Sequence, residues 1–204
     1  MSIDSSFSTY EKLRINLLRG MFLLLLPILV IVHAPLSETF PGELMENLGL
    51  VLIVGGVLGR AWSILYIGGH KNRKVITDGP YSLCRHPLYL FSTIAVLGFG
   101  MMLQSVLLVV VLTGVFGGAL YYNALREEAR LRRMFGPDYD RYARTTPAII
   151  PAIGNFHTKE EVTFSVSQLR QNFWDATVFV ALIPLAEILE WGHSLPGVPG
   201  LAIP

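Results

Sequence analysis

Residues 87–125 form a run of 39 positions without Asp, Glu, Lys or Arg, and this run limits the fold more than any other feature. A helix rises 1.5 Å per residue, so one continuous helix over the run would be about 58 Å long. The apolar core of a bilayer is only about 30 Å thick. Gly98, Gly100, Gln104 and Ser105 supply turn-forming residues near the middle. The run therefore predicts two membrane spans joined as a helical hairpin, with its tip near residues 101–105.

Composition supports a membrane protein, because 52% of the residues are hydrophobic and 15% are charged, against about 25% charged in soluble domains. Residues 20–36 carry no charge and predict a first span, with a signal peptide as the alternative. Residues 47–69 predict a second span, interrupted only by Arg60. We expect an all-α integral membrane protein with about five membrane-embedded helices.

The fifth helix is the least certain, because only 11 uncharged residues lie between Asp175 and Glu187. A membrane-embedded helix is favoured there, and an interfacial helix or a packing element remains open. We divide the chain into an N-terminal span and loop (1–46), a core (47–151) and a C-terminal extension (152–204).

The basic residues predict the orientation, because Lys and Arg accumulate on the cytosolic side. They occur before the first span, in the 70–86 loop and in the 126–172 region, and they are missing from the hairpin tip. With four alternating spans, these three regions share one side, which we assign to the cytosol, where they would also attract lipid head groups. The net charge of +1 gives no footprint for nucleic acid, and the single cysteine excludes an intrachain disulfide.

Two polar segments lie at the cytosolic end of the hairpin. One is Gly-Pro-Tyr-x-x-x-Arg-His-Pro-x-Tyr at 79–89, and the other is Glu-Glu-x-x-Leu-x-x-x-Phe-Gly-x-x-Tyr-x-x-Tyr at 127–142. Either could be an ordinary charged membrane flank, since a Glu128–Arg132 pair on a solvated face adds only a few tenths of a kcal/mol. Their position at the same end of one hairpin instead favours a shared pocket.

With these two segments the sequence resembles the isoprenylcysteine carboxyl methyltransferase family, which is related to membrane phospholipid methyltransferases. The resemblance covers about residues 47–151. It implies a small membrane enzyme that uses S-adenosylmethionine and closes a cytosolic cofactor pocket with the Arg-His-Pro segment and the Glu-Glu helix. Carried onto this chain, the resemblance implies these cofactor-binding residues: Tyr81, Arg85, His86, Pro87, Tyr89, Glu127 and Glu128.

The resemblance also assigns roles within this pocket. Glu127 or Glu128 would bind the cationic amino-acid part of the cofactor, and we expect only one of the two to reach it. Arg85 would shape the pocket entrance or hold the cofactor's carboxylate. Tyr81, Tyr139 and Tyr142 are weaker candidates, because interfacial tyrosines are common without any site.

Arg60 is the one charge inside a predicted span, which makes it a candidate for contact with an acidic group of the acceptor. Snorkelling or structural pairing is the alternative. The candidate catalytic residues are therefore Arg60, Arg85 and Glu127. The sulfonium already activates the methyl group, so no metal and no covalent enzyme nucleophile is expected.

The acceptor stays open at this point, although a lipophilic or lipidated molecule is expected. Members of the family often carry a basic residue between their last two prolines, whereas this chain has Ala-Ile-Ile between Pro147 and Pro151. An isoprenylcysteine-like carboxylate, a lipid amine and a thiol are all possible acceptors. A sterol-type membrane reductase that uses a nicotinamide cofactor and a non-catalytic membrane scaffold are the alternatives. The short chain and the Glu-Glu pair disfavour the reductase.

Overall fold

The computed structural model describes residues 39–68, 74–164 and 178–193, together with Gly20, Val32–His33, 166–167, 169–170 and Leu201–Ala202. The described elements in chain order are β1 (Val32–His33), α1 (Phe40–Ile67), α2 (Pro80–Leu83), α3 (Pro87–Met102), α4 (Val106–Phe135), α5 (Pro137–Thr145), a 3-10 turn (Ile153–Asn155), α6 (Leu182–His193) and β2 (Leu201–Ala202). Apart from the two-residue parallel pair β1–β2, the regular structure in these residues is helical. The described part of the chain is therefore helical, as the sequence predicts.

Helix α1 begins at Phe40, before residue 47 where the sequence predicts its start. The Thr39 side chain caps it by accepting a hydrogen bond from the Gly42 N–H at 3.2 Å, and Pro41 occupies the first turn. An acidic Glu43 in that turn suits the positive end of the helix dipole. A search for uncharged runs misses the first turns of α1 because they contain charged residues such as Glu43.

Close contact between α1 and α3 depends on glycines. A Cβ atom added to Gly56 would lie 2.7 Å from the Phe91 carbonyl oxygen, and one added to Gly59 would overlap the Phe91 ring. Near the other end of α1, Gly49 lies against the backbone of Gly98. Because Gly49 meets Gly98 and Gly59 meets Phe91, the two helices run antiparallel. The end of α1 therefore reaches the start of α3.

The predicted hairpin is present as α3 and α4. Pro87 occupies the first turn of α3, where its missing N–H leaves no hydrogen bond unmade. The chain reverses through Leu103–Ser105, with Gln104 at a φ of 52°. Ser105 then caps α4 by accepting a hydrogen bond from the Leu108 N–H at 3.4 Å. The hairpin thus places the start of α3 beside the end of α4.

Two described helices are long and apolar enough to cross a membrane: α1 with 28 residues and α4 with 30 residues. Helix α3 is also apolar, but its 16 residues rise only about 24 Å. The described residues therefore provide two candidate spans and a shorter apolar helix between them.

The first predicted span, 20–36, lies outside the described residues except for Gly20 and Val32–His33. Val32–His33 form β1 and not a helix, so the prediction is wrong for these two residues. Their backbone pairs with Leu201–Ala202, and Pro35, close behind, disfavours helix at Ala34.

The C-terminal helix α6 covers Leu182–His193, later than the predicted uncharged stretch. Its 12 residues rise about 18 Å, which is too short to cross an apolar core of about 30 Å. Ala186 and Leu189 of α6 join Phe99 and Leu108 in the buried core at the tip of the hairpin. In the described residues α6 is thus a packing element, which was one of the open alternatives.

After α4, the chain turns back over the cytosolic end that the sequence predicts. Gly136, at a φ of 52°, ends α4, and Pro137 begins α5. Helix α5 buries Tyr139 and Tyr142. The strap, which we define as residues 147–159, then runs back along the segment that precedes α3. This arrangement encloses the start of α3 between α4, α5 and the strap.

Candidate active site

The two polar segments meet at the start of α3. The first segment makes the short turn α2, which begins at Gly79 with a φ of 61°. A Cβ atom at Gly79 would overlap the Tyr66 ring, so glycine is required there for both its conformation and its size. Cys84 to His86 then connect α2 to α3 directly beside the last third of α4. The convergence predicted from the sequence is therefore present in the fold.

Glu128 is the centre of the buried part of the site. Its Oε1 accepts hydrogen bonds from Arg85 Nε at 2.9 Å and from Arg85 Nη2 at 2.6 Å. The His86 Nε2 atom lies 3.3 Å from the same oxygen. The side chains of Arg85 and Glu128 are only 12% and 11% exposed, so this is a buried ion pair. Glu128 therefore ties α4 to the segment before α3.

Arg85 also bonds to the turn that follows α5. Its Nη1 donates to the Ala143 carbonyl oxygen at 2.9 Å and to the Thr146 carbonyl oxygen at 2.5 Å. Arg85 thus connects three elements: α4 through Glu128, the end of α5, and its own segment. Most of its donors are used inside the protein.

Glu127 has different surroundings, because consecutive helical residues point about 100° apart. Its Oε2 accepts a hydrogen bond from the Tyr89 hydroxyl at 2.9 Å, and Arg130 lies 3.8 Å from Oε1. The Glu127 side chain is 28% exposed. The structure thus gives one carboxylate of the pair to the protein interior and leaves the other partly accessible.

His86 precedes the first turn of α3 and is buried. Its ring is stacked on the Tyr89 ring with centroids 5.7 Å apart. Burial lowers the pKa of His86 from its ordinary value of 6.5, although the nearby charges of Glu127 and Glu128 oppose this shift. The ring is therefore a neutral, flat surface next to the carboxylate pair.

Three tyrosines form the wall of the site that α2 and α5 supply. The Tyr142 hydroxyl donates to the Tyr81 carbonyl oxygen at 2.7 Å, and the Tyr139 and Tyr142 rings pack edge to face. Burial raises the pKa of Tyr139 to about 12 and raises the pKa of Tyr81 and Tyr142 as well. All three phenols are therefore neutral at physiological pH. Sequence reasoning ranked all three low, because nothing in the sequence reveals their burial.

The strap is a part of the site that sequence reasoning missed. The backbone N–H groups of Arg85 and His86 donate to the carbonyl oxygens of Pro147 and Ala148 at 2.8 and 3.0 Å. The Ala152 N–H donates to the Leu83 carbonyl oxygen at 2.9 Å. These backbone bonds fix the Arg-His segment in an extended conformation. The sequence signal for them is weak, and consists of two prolines that disfavour helix.

Arg60 contacts α3 and not the carboxylate pair. Its Nη1 hydrogen-bonds to the Ser92 hydroxyl and, at 3.4 Å, to the Leu88 carbonyl oxygen. Its guanidinium group also lies over the Phe179 ring, 5.0 Å from the centroid. Arg60 therefore joins α1 to the first two turns of α3.

A half-open apolar cleft of about 220 Å³ lies beside the site. Its lining residues are Pro80, Leu83, Cys84, Pro87, Leu90, Phe91, Ile94, Pro151 and Ile153. Tyr89 lies about 200° around α3 from Pro87, so the cleft and the carboxylate pair are on opposite sides of the helix. The lining suits an apolar chain and offers nothing to a charged amino-acid group. Cys84 is buried there, and burial raises the pKa of its thiol to about 11.

Comparison with known proteins shows which methyltransferases the chain resembles. A profile of the phospholipid methyltransferase family matches residues 44–138. The protein-S-isoprenylcysteine O-methyltransferase of Schizosaccharomyces pombe is 32% identical over 84 residues, which are 41% of this chain and 36% of that protein. The chain is therefore similar to phospholipid methyltransferases and to protein-S-isoprenylcysteine O-methyltransferases. This similarity confirms the resemblance inferred from the two motifs.

Two other relatives match this chain over more of its length. The cobalt-zinc-cadmium resistance protein CzcN of Cupriavidus metallidurans is 35% identical over 89% of this chain and 83% of its own length. The nickel-cobalt-cadmium resistance protein NccN of Alcaligenes xylosoxydans xylosoxydans is 32% identical over 91% of this chain and 87% of its own length. No solved structure matches the chain. The profile match begins in the first turns of α1 and ends in α5, and it includes the whole first motif and the second motif as far as residue 138.

Proposed function

We propose that this protein transfers the methyl group of S-adenosylmethionine to a lipophilic acceptor at the cytosolic face of the membrane. The observation that carries the proposal is the direct contact between the two motifs. Arg85 and His86 of the first motif bind Glu128 of the second, and Tyr89 binds Glu127. Similarity to phospholipid and isoprenylcysteine methyltransferases supports methyl transfer as the reaction class.

The residues present fit the charges of S-adenosylmethionine. Glu127 is a partly exposed carboxylate on α4, so it suits the cofactor's ammonium group. The Tyr89 ring, which is stacked on the buried His86 ring, lies beside Glu127. When bound, the cofactor supplies a methyl group already activated by its sulfonium. The protein's part is to position the acceptor and exclude water, since orientation alone contributes about 7–11 kcal/mol.

Within this proposal Glu127 contacts the cofactor, and Arg85 and Glu128 are positioning residues. The Arg85–Glu128 pair holds α4 against the Arg-His-Pro segment, so that Glu127 and Tyr89 face the same space, whereas Pro87 lines the apolar cleft on the other side of α3. A single buried ion pair thereby fixes the distance between the two halves of the pocket. Residues 47–151 form the methyltransferase core in this proposal.

The acceptor is an apolar molecule with a nucleophilic head. The apolar cleft lined by α2, α3 and the strap supports a chain-bearing acceptor that enters from the bilayer. Arg60 is the candidate for an acidic group of the acceptor, because it is a cation within α1 near the start of α3. Arg60→Leu should then raise the KM for the acceptor with little change in cofactor affinity, and an equal loss of both would contradict this role.

The orientation of the protein is part of the proposal. The described basic residues lie at the site end of α1, α3 and α4, and this end faces the cytosol if the positive-inside rule holds. Labelling of single cysteines at positions 71 and 141 in a Cys84→Ser background should therefore require permeabilised cells. Labelling of either position in intact cells would refute the orientation.

The names of CzcN and NccN, the two relatives that match over most of the chain, suggest a physiological setting. We extend the proposal to metal resistance, in which the enzyme would methylate a membrane component. Deletion of the gene in its own host should increase sensitivity to cobalt, zinc or cadmium. The parent gene should restore resistance and Glu127→Gln should not. If the parent gene and Glu127→Gln restored resistance equally, resistance would not depend on methyl transfer.

The reaction itself is tested with purified protein and membrane extracts. Calorimetry should show binding of S-adenosylmethionine but not of a reduced nicotinamide cofactor. Incubation with methyl-labelled S-adenosylmethionine and total lipid extract should then label a lipid-soluble product, and Glu127→Gln should label much less. A folded protein that binds the nicotinamide instead would favour the reductase alternative. One that binds neither would favour the scaffold.

A further inference from the structure

Two hydroxyl groups in the site have no hydrogen-bond partner among the described residues. They belong to Tyr81 and Tyr139, whose rings are 6% and 2% exposed. An unpaired buried hydroxyl costs about 1–3 kcal/mol, so each such group calls for an explanation. Tyr142, between them, has its hydroxyl satisfied by the Tyr81 carbonyl oxygen. A ligand that accepts a hydrogen bond would remove the penalty at Tyr81.

Arg85 is poorly placed to hold a ligand carboxylate, although the sequence made it a candidate. A guanidinium group has five N–H donors. Two of them bond to Glu128, and two bond to the carbonyl oxygens of Ala143 and Thr146. Recruiting Arg85 to a ligand would leave the buried Glu128 carboxylate unpaired. Another donor must therefore bind the carboxylate of any amino acid that enters the site.

Of the two hydroxyls unpaired among the described residues, that of Tyr81 belongs to the first motif, which also carries Arg85. Tyr81 is on α2, directly before the Arg-His segment, and its hydroxyl is buried without a described partner. Of the charged groups, Glu127 acts most strongly on this phenol, and with burial it raises the pKa of Tyr81 well above 10. The Tyr81 hydroxyl therefore stays protonated. Tyr81 is four residues before Arg85, whose guanidinium binds Glu128, the neighbour of Glu127. A ligand whose ammonium group pairs with Glu127 carries its α-carboxylate on the adjacent carbon, close to that ammonium.

We propose that the Tyr81 hydroxyl donates a hydrogen bond to the α-carboxylate of S-adenosylmethionine, so that Tyr81 and Glu127 together recognise its amino-acid end. This inference rests on the proposed function. It assigns recognition of the carboxylate to a neutral phenol, while Arg85 stays in the buried pair with Glu128. The site then discriminates between S-adenosylmethionine and its decarboxylated form.

The test compares these two ligands by calorimetry on the full-length protein. The parent should bind S-adenosylmethionine at least about 10-fold more tightly than decarboxylated S-adenosylmethionine, because a hydrogen bond to a charged group is lost. Tyr81→Phe should weaken binding of S-adenosylmethionine by about 10-fold or more and leave the decarboxylated ligand unaffected. Tyr121→Phe, an exposed tyrosine on α4, makes the same chemical change away from the site and should alter neither affinity.

Arg85→Lys separates the two candidate carboxylate donors. If Tyr81 holds the carboxylate, Arg85→Lys should preserve the ratio of the two affinities, even where both decrease. Collapse of the ratio in Arg85→Lys but not in Tyr81→Phe would overturn the inference and return the role to Arg85. Equal losses for both ligands in Tyr81→Phe, or no loss, would also overturn it.

Failure of the inference is distinguishable from failure of the proposed function. A parent protein that binds neither ligand contradicts both, whereas a parent that binds both equally contradicts only the carboxylate contact. Unfolding measurements without ligand give a second readout. Tyr81→Phe keeps the ring and removes only an unpaired hydroxyl, so the ligand-free protein should be as stable as the parent or more so. A clear loss of stability would show that the hydroxyl has a partner within the protein.

Discussion

Replacing Arg85 by Met tests whether the Arg85–Glu128 pair holds the site together. The variant loses two hydrogen bonds to Glu128 Oε1, at 2.9 and 2.6 Å, and two to backbone carbonyl oxygens. It also leaves Glu128, whose side chain is 11% exposed, without its closest cation. Breaking a buried ion pair from one side typically costs 3–5 kcal/mol. Arg132, 3.7 Å from Glu128 Oε2 and half exposed, offers partial compensation, so we expect about 3 kcal/mol.

The same structure supplies the controls for this experiment. Arg141 and Asp138 form an ion pair at 3.5 Å, with side chains 80% and 75% exposed, so Arg141→Met should cost at most about 1 kcal/mol. Combining Arg85→Met with Glu128→Gln should recover part of the loss, because the unpaired buried charge is removed. Glu128→Gln alone retains a polar acceptor, so its loss of stability should lie between those of Arg141→Met and Arg85→Met.

Unfolding of the purified protein in detergent, followed by tryptophan fluorescence, measures these differences. A double-mutant cycle over Arg85 and Glu128 isolates their coupling free energy. An Arg85→Met variant within about 1 kcal/mol of the parent would refute the reasoning, because removing one partner of a buried pair leaves the other charge unpaired. Loss of S-adenosylmethionine binding at unchanged stability would instead make Arg85 a direct cofactor contact.

Three further predictions follow from single residues. Glu127→Gln should weaken S-adenosylmethionine binding about 10- to 150-fold with little change in stability, whereas Glu128→Gln should act mainly on stability; calorimetry and unfolding on both variants decide this. Because burial lowers the pKa of His86 below 6.5, the unfolded chain takes up the proton first as the pH falls. The free energy of unfolding should therefore be highest above about pH 6.5 and decrease progressively below it. In His86→Asn this dependence on pH between about pH 5 and 7 should become weaker. Gly56→Ala should destabilise by about 1–3 kcal/mol, since the new Cβ meets the α3 backbone, whereas Gly55→Ala, with nothing within 4 Å, should be neutral or stabilising by up to about 1 kcal/mol; unfolding of the two variants compares them directly.

The hairpin and the meeting of the two motifs were predictable because they depend on distance along a helix. A run of uncharged residues too long for one span must turn back, and Gln104 and Ser105 mark the turn. Once it turns back, residues 85–89 and 127–128 necessarily lie at the same end. The start of α1 was not predictable in this way, because Thr39 and Glu43 carry out capping in a segment that charge alone assigns to a loop.

The strap was invisible for a different physical reason. Its contacts with the Arg-His segment are bonds between backbone groups of Leu83, Arg85 and His86 and those of Pro147, Ala148 and Ala152. Backbone hydrogen bonds leave no side-chain pattern, and the intervening Ile149 and Ile150 suggest only an apolar stretch. Sequence reasoning therefore ended the core at residue 151, whereas backbone bonds connect the strap to the motif as far as His157, whose carbonyl oxygen accepts from the Gly79 N–H at 2.8 Å.

The difference between Glu127 and Glu128 shows how one step along a helix produces two functions. Rotation by about 100° directs Glu128 toward Arg85 and His86, where its charge is neutralised and becomes structural. The same rotation directs Glu127 toward the Tyr89 hydroxyl, and its ion pair with Arg130 at 3.8 Å is longer and more exposed than the Arg85–Glu128 pair. A protein that binds a cationic cofactor needs a negative group that stays negative, and needs it held rigidly. Because the rigid frame is formed by the neighbouring residue, any change that frees Arg85 from Glu128 should also loosen Glu127, which links the stability of this end of the hairpin to cofactor affinity.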